Sequence, residues 1–312
     1  MIIREPNIED KDSIIELLQL SLGESKLKKT KEIWDFKHIQ NPFGKSPIFI
    51  AENEKEVIGV RAFMQWQWQL SNTVWTAYRA VDTATSPKHQ GKGIFKTLTL
   101  KALDCVKQKG DCFIFNTPND QSRPGYLKMG WKAVGKINVA LVPTLFYIFY
   151  LFSKNKKCSN SITNTQLENL CKLHNTYSIN NAKLFTPKSV EYLKWRFEKN
   201  PLQAYYVVSI QNFYMAMYIK KHRFFNELRV VETIGTFDKE NQNEMRTAIS
   251  KFAVKNLCLF ISIAEKNLFP IQFYGPYGPI LTFKSLTDSE NFDNDALNIF
   301  NWKYSLGDLE LF

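Results

Sequence analysis

The sequence predicts an α/β protein built from two tandem copies of one fold, and three observations predict it. Between residues 81 and 115 a strand, a glycine turn, a helix and a second strand follow one another. The segment Glu32-Ile33-Trp34-Asp35-Phe36-Lys37-His38-Ile39-Gln40-Asn41-Pro42 is echoed by Glu191-Tyr192-Leu193-Lys194-Trp195-Arg196-Phe197-Glu198-Lys199-Asn200-Pro201, with Glu, an aromatic, a basic residue and Asn-Pro in register. The 312 residues, 44% of them hydrophobic, suffice for two packed cores. The domains are placed at 1–145 and 166–312, with 146–165 as a connecting segment.

Each echoed segment reads as a helix that stops before Asn-Pro, because the residue before a proline is pushed out of helical geometry. A hairpin is expected next in both copies. Strands 48–51 and 57–67 flank the polar turn 53–56 in the first, and strands 205–210 and 213–219 flank Gln211-Asn212 in the second. The match continues through Arg79-Ala80-Val81-Asp82-Thr83 and Arg229-Val230-Val231-Glu232-Thr233.

The copies then part. The first runs through Thr85-Ser86-Pro87 to Gln90-Gly91-Lys92-Gly93, and Phe95, Leu98, Ala102, Cys105 and Val106 recur at helical spacing up to a stop at Gly110. A short buried strand over 111–115 follows, and the second strand is read as carrying Asn119 and Tyr126 at fixed spacing. The second copy has Ile234-Gly235-Thr236-Phe237-Asp238-Lys239 and no glycine loop. A helix and a strand over 257–264 still follow there, and Phe273-Tyr274-Gly275-Pro276-Tyr277-Gly278 echoes the first copy's Tyr126 to Gly130-Trp131.

A helix N-terminus exposes unpaired N–H groups and carries partial positive charge, so the turn at Gly91 and Gly93 is a cradle for a pyrophosphate. A P-loop is excluded because Gly91-Lys92 is followed by Gly93 rather than Ser or Thr. A dinucleotide fingerprint lacks its third glycine. On the glycine pair alone, a purely structural turn stays open.

The wider arrangement resembles the GNAT family of acyl-CoA-dependent N-acyltransferases. There a strand ending x-x-Pro leads to Arg/Gln-x-x-Gly-x-Gly/Ala, and a later strand is followed by Asn-x-x-Ala/Ser-x-x-x-Tyr-x-x-x-Gly-Phe. Here Pro87, Gln90, Gly91, Gly93, Asn119, Ser122, Tyr126, Gly130 and Trp131 stand in those registers. Phe95 departs from the family, which closes its loop with Gly or Ala, and this bears on how the loop packs.

The resemblance implies that each copy is a mixed, mostly antiparallel twisted sheet flanked by helices. The second copy is then degenerate, shaping an acceptor pocket or serving structure alone. It implies acetyl-CoA or another acyl-CoA as co-substrate, without a metal, held by Thr83, Ala84, Thr85, Gln90, Gly91, Lys92, Gly93, Ile94, Phe95, Asn119 and Ser122. The pantetheine arm would enter beside Thr83–Thr85, whose amides would bind the thioester oxygen. Tyr126 matches the family's proton donor to the departing sulfur. For the base, Asp82 is the leading carboxylate, with Asp35 and His38 nearby and a water chain as the alternative; because strand side chains alternate faces, Asp82 also reads as a structural acceptor.

The acceptor implied is a small-molecule primary amine such as an amino sugar. The Gln65-Trp66-Gln67-Trp68-Gln69 alternation, with Trp34 and Trp75, offers an indole-rich face that would stack a sugar or bury in the protein. Transfer of a longer acyl group and a non-catalytic acyl-CoA-binding module are the alternatives. Aminoacyl transfer needs no CoA cradle and is disfavoured.

Composition narrows the partners. The net charge of +11 is scattered rather than gathered into an aromatic-interleaved stripe, so nucleic acid is not expected. Five cysteines without a Cys-x-x-Cys pair, and an N-terminus without a signal pattern, point to reduced thiols and a cytoplasmic protein. Four histidines show no metal spacing. The apolar run 139–152 is shorter than the roughly 20 residues a bilayer needs. It reads as an interdomain helix, or a strand and then a helix, with attachment to an anionic membrane surface as the lesser alternative.

Overall fold

The computed structural model describes residues 1–22, 29–152, 162–210 and 212–309. Residues 153–161 of the expected connecting segment, with Cys158, and Gln211 of the second hairpin turn lie outside the described residues. The elements are β1 (Ile2–Arg4), α1 (Asp10–Leu22), α2 (Lys31–His38), β2 (Ile48–Asn53), β3 (Glu56–Leu70), β4 (Thr73–Thr85), α3 (Ile94–Lys107), β5 (Cys112–Asn116), α4 (Arg123–Lys128), β6 (Lys132–Lys136) and β7 (Val139–Pro143). There follow α5 (Asn164–Asn180), β8 (Leu184–Phe185), α6 (Val190–Leu193), β9 (Tyr206–Ile210), β10 (Phe213–Lys221), β11 (Asn226–Gly235), α7 (Lys239–Lys255), β12 (Cys258–Ile263), β13 (Phe273–Gly275), β14 (Ile280–Ser285), α8 (Glu290–Ala296), β15 (Trp302–Lys303) and α9 (Leu306–Leu309).

The chain forms two α/β units, each with a mostly antiparallel sheet flanked by helices. In the first unit the strand order is β1-β2-β3-β4-β5-β14-β6, and β4 and β5 run parallel. In the second it is β13-β7-β12-β11-β10-β9, and β11 and β12 run parallel. Both expected hairpins are present, β2–β3 and β9–β10. The β2–β3 turn places Glu54 at φ 51° and Lys55 at φ 68°, the paired positive values whose twist suits a two-residue hairpin.

The boundary at residue 145 needs correction. The compact units are Met1–Gly135 with Ile280–Asn301, and Lys136–Pro279 with the stretch from Trp302 that holds α9. The strand antiparallel to β5 is β14, drawn from far along the chain, and the strand antiparallel to β12 is β7, drawn from before it. A run of local hydrophobicity carries no mark of which sheet it joins, so this exchange was invisible in sequence. The apolar run 139–152 resolves as β7 followed by a 3-10 helix over Thr144–Phe152, and no helix among the described residues is long and apolar enough to cross a membrane.

Helical spacing places the first unit's core. Leu98, Ala102 and Val106 of α3 pack with Phe49, Phe63, Tyr78 and Ile114 on one face of the sheet. Ile14, Leu17 and Leu18 of α1 pack with Ile50, Val60 and Ala84 on the other. Burial on both faces is what fixes β3 and β4 beneath the loop between Thr85 and Ile94. In the second unit Met245, Ile249 and Ala253 of α7 pack with Met215, Met217, Val230 and Ile261.

Candidate active site

The site begins where two strands part. β4 pairs with β5 from Thr76↔Cys112 to Arg79↔Phe115, and then β4 runs on to Thr85 without that neighbour. On its other edge the register with β3 shifts between Val60↔Ala84 and Ala62↔Val81, so two residues, Asp82 and Thr83, stand opposite Arg61 alone. This bulge puts Asp82 at φ 41°. It breaks the alternation of side chains that a regular strand would impose.

The helix that closes the loop has a bare N-terminus. Gly93 is its cap, at φ 77°, with no side-chain hydrogen bond to the first turn. Gly91 also sits at φ 77°, and a Cβ at either glycine would find no atom within 4 Å. Glycine is therefore required by backbone conformation, and the space over the amides is open to a ligand.

Asn119 and Tyr126 both lie past β5, not on it, because Pro118 and Pro124 divert the chain into a loop and the short helix α4. Asn119 Oδ1 accepts from the Ser122 N–H at 2.9 Å and from Ser122 Oγ at 2.9 Å, tying down the start of α4. The Tyr126 ring is buried, edge-on to Phe95 with centroids 5.6 Å apart at 87°, and packed against Trp131. Phe95, the departure from the family pattern, thus becomes the wall that seats the tyrosine.

Behind that wall lies a residue not singled out in the sequence. Arg61 is 0% exposed; its Nη1 donates to the Tyr126 hydroxyl at 2.8 Å and to Thr83 Oγ1. Its signal was legible, as the lone charge in the run Val57-Ile58-Gly59-Val60-Arg61-Ala62-Phe63-Met64.

Asp82 is held by α2. Lys37 Nζ pairs with Asp82 Oδ2, His38 Nε2 lies 2.9 Å from the same oxygen, and Lys29 Nζ is 4.0 Å from Oδ1. The His38 Nδ1 is 2.8 Å from Ser46 Oγ. Burial alone would push the Asp82 carboxyl up, but the charge of Lys37 and the His38 hydrogen bond hold it well below the usual carboxylate range. Burial pushes both Lys37 and His38 down, against the pull of Asp82. The contacts suit a neutral His38 whose Nε2 donates to Asp82 and whose Nδ1 accepts from Ser46. A carboxylate so stabilised is a poor proton acceptor.

These features meet in a cavity of about 850 Å³, all of whose lining residues belong to the first unit. Of the residues expected there, Asp82, Thr83, Ala84, Thr85, Gln90, Gly91, Gly93, Ile94, Phe95, Asn119, Ser122 and Tyr126 line it, and Lys92 does not. Lys29, Lys37 and Lys96 also line it and went unnoticed, since single lysines read as solvated. His38 and Asp35 do not line it; Asp35 is bound by Lys11 at 2.8 Å. Nor do the tryptophans: Trp66 and Trp68 are 0% exposed and packed on Phe115, which makes them core rather than a sugar platform.

The second unit has the same strand parting, but among its described residues no glycine turn opens the helix that follows. β11 pairs with β12 only as far as Val230↔Ile263, and the stretch beyond meets α9. Arg196 Nε and Nη2 donate to the Gly307 carbonyl at 3.2 and 3.0 Å, while Asp308 takes Lys188 Nζ at 3.0 Å and the Tyr192 hydroxyl at 2.9 Å. The N-terminus of α7 is capped by the Asp238 side chain, which accepts from the Asn241 N–H at 2.9 Å. A carboxylate already occupies the place an anion would take. The expected echo of the tyrosine segment is a strand, β13, paired with β7 rather than a helix.

Residues 2–134 match the family model described as an acetyltransferase (GNAT) domain. Among solved structures, a GCN5-related N-acetyltransferase from Anabaena variabilis is similar at 12% identity and TM-score 0.66, over 92% of this chain and 73% of that one. One from Kribbella flavida is similar at 11% identity and TM-score 0.64, over 91% and 70%. A conserved protein of unknown function from Enterococcus faecalis, described as a probable N-acyltransferase, is similar at 9% and TM-score 0.65, over 91% and 72%. At these identities the likeness is one of fold. No curated protein matches the sequence.

Proposed function

From the match of residues 2–134 to a GNAT acetyltransferase domain, we propose that the protein is an acyl-CoA-dependent N-acyltransferase. It moves an acetyl group from acetyl-CoA to the primary amine of a small molecule by direct attack in a ternary complex. One observation carries the reading: the parted β4 and β5, the uncapped α3 N-terminus and Tyr126 meet at one cavity.

In this reading the pyrophosphate lies over the amides that follow Gly91 and Gly93, and Lys96 adds positive charge beside them. The pantetheine arm runs between β4 and β5, and the Thr83–Thr85 edge meets the thioester oxygen. Donors aimed at a developing oxyanion are worth roughly 3 kcal/mol each. Tyr126 protonates the sulfur. Asp82 takes the part of a positioning residue, since Lys37 and His38 hold it as an anion that fixes the bulge; the amine proton leaves through water.

The acceptor is the less constrained half. The second unit serves structure, its own cleft being filled by the chain. The experiment is free-thiol release from acetyl-CoA across a panel of amines, amino sugars included, for the wild type and Tyr126→Phe. The reading expects amine-dependent thiol release that falls about 10²–10⁴-fold in Tyr126→Phe with acetyl-CoA affinity retained. Acetyl-CoA that neither binds nor turns over would refute it.

A further inference from the structure

We propose that Arg61 is the positioning residue of the proton donor: it fixes Tyr126 with its hydroxyl proton turned into the cleft and holds the counter-charge for the phenoxide left when that proton moves to the departing sulfur. The inference rests on the acyl-transfer reading above.

The guanidinium is out of place for a residue serving stability. It is 0% exposed, and its Nε and Nη2 meet no hydrogen-bond partner among the described residues. Its surroundings are rings: Cζ lies 4.8 Å from the Phe63 centroid, 5.6 Å from Phe95 and 5.2 Å from Tyr126. Aromatic faces compensate a buried cation only in part. Replacing an uncompensated buried charge by an apolar side chain of similar volume tends to stabilise a fold. A guanidinium 0% exposed on β3, directly behind two residues that line the cavity, points to a part in the chemistry of that cavity.

The hydrogen-bond directions say what that chemistry is. Nη1 spends its two hydrogens on the Tyr126 hydroxyl oxygen and on Thr83 Oγ1, and Thr83 Oγ1 in turn donates to the Val81 carbonyl. The Tyr126 oxygen is therefore an acceptor toward Arg61, and its own proton meets no acceptor among the described residues. Both Tyr126 and Thr83 line the cavity, whereas Arg61 stands one side chain behind them. One guanidinium thus ties the proton donor to the bulge beside which the thioester carbonyl would bind.

The amine nitrogen forms the new C–N bond, the C–S bond breaks with its electron pair on sulfur, and the Tyr126 proton passes to that sulfur to give the free thiol. The phenoxide faces the guanidinium until the proton released by the amine returns to it through water.

The test compares Arg61→Met, Arg61→Lys, Tyr126→Phe and Arg61→Met/Tyr126→Phe. It uses thiol release from acetyl-CoA, with the best amine of the panel or with water as acceptor, and thermal melting. Arg61→Met should lower kcat about 100-fold with KM for acetyl-CoA within about threefold, and Arg61→Lys should recover to within about tenfold of wild type. In the Tyr126→Phe background Arg61→Met should cost less than about threefold, because the two residues act as one unit. The Tm of Arg61→Met should equal or exceed that of wild type. A Tm several degrees lower, with kcat per folded molecule unchanged, overturns the inference. So does an equal kcat loss in both backgrounds. Slowing in Tyr126→Phe but not in Arg61→Met sinks only the role of Arg61, whereas an unslowed Tyr126→Phe sinks the assignment of the acid itself.

Discussion

The ring of Phe95 stands 3.1 Å from the point a Cβ on Gly125 would occupy. The two residues are thirty apart in sequence, one on the first turn of α3 and the other on α4. Together they explain how a bulky side chain is accommodated beside the glycine loop. The absence of a side chain at 125 gives the ring its seat, and the ring then meets Tyr126 edge-on.

Filling that seat should therefore be felt at the tyrosine. Gly125→Val is expected to destabilise the fold by about 1–3 kcal/mol through overpacking, and to slow thiol release more than it weakens acetyl-CoA binding. Adding Phe95→Ala should recover much of the stability. Chemical denaturation of the single and double variants, alongside kcat, measures both effects.

The Lys37–Asp82 pair offers a second check. The Lys37 and Asp82 side chains are each 7% exposed, and removing one takes from the other its nearest opposite charge. Lys37→Met or Asp82→Asn alone is expected to cost about 3–5 kcal/mol, and Lys37→Met/Asp82→Asn distinctly less than the sum. If Asp82 were the general base, Asp82→Asn would abolish turnover in protein that remains folded. As a positioning residue, its loss acts through stability and a misplaced bulge.

A pH prediction follows from the second unit. Burial first, and then Asp308 beside it, push the Glu232 carboxyl up to about 7 against the pull of Lys188, from an ordinary value of 4.5. The folded state therefore binds a proton between those values that the unfolded chain has released. That contribution to stability is complete below about 4.5 and is lost as the pH rises through about 7. Glu232→Gln removes the dependence. Relative to wild type, the variant should gain on the order of 2 kcal/mol between pH 5 and pH 7.5, read by denaturant midpoints at each pH.

His38 works in the opposite sense. Its folded form resists the proton that the unfolded chain takes up near pH 6.5, so stability should fall as the pH drops through that value. Asp82, also lowered, adds its own loss only at much lower pH. The wild-type profile is thus squeezed from both sides, and Glu232→Gln leaves the acid limb in place.

The glycine turn and the helix after it were legible because a local pattern encodes them: Gly91, Gly93 and the helical spacing from Phe95 to Val106 lie within one stretch of chain. The repeat was legible for the same reason. What escaped depends on contacts far apart in sequence. The exchange of β7 and β14 between sheets leaves no periodic trace. The pairing of Lys37 with Asp82 needs the bulge that only the β3 register reveals. Trp66 and Trp68 read alike as an exposed platform or a core, and only packing on Phe115 decides. Arg61 was in view as a charge within an apolar strand, but its partner Tyr126 lies 65 residues away and only the fold brings the two together.

We propose that this chain carries one acyl-CoA cradle, in its first unit, although it holds two α/β units. Calorimetric titration with acetyl-CoA tests it most directly, on the wild type and on Gly93→Val, which cannot adopt φ 77° without strain. One site per chain is expected, weakened at least about tenfold in Gly93→Val and unchanged in Asp238→Ala in the second unit. Two sites per chain, or a single site indifferent to Gly93→Val, would contradict it.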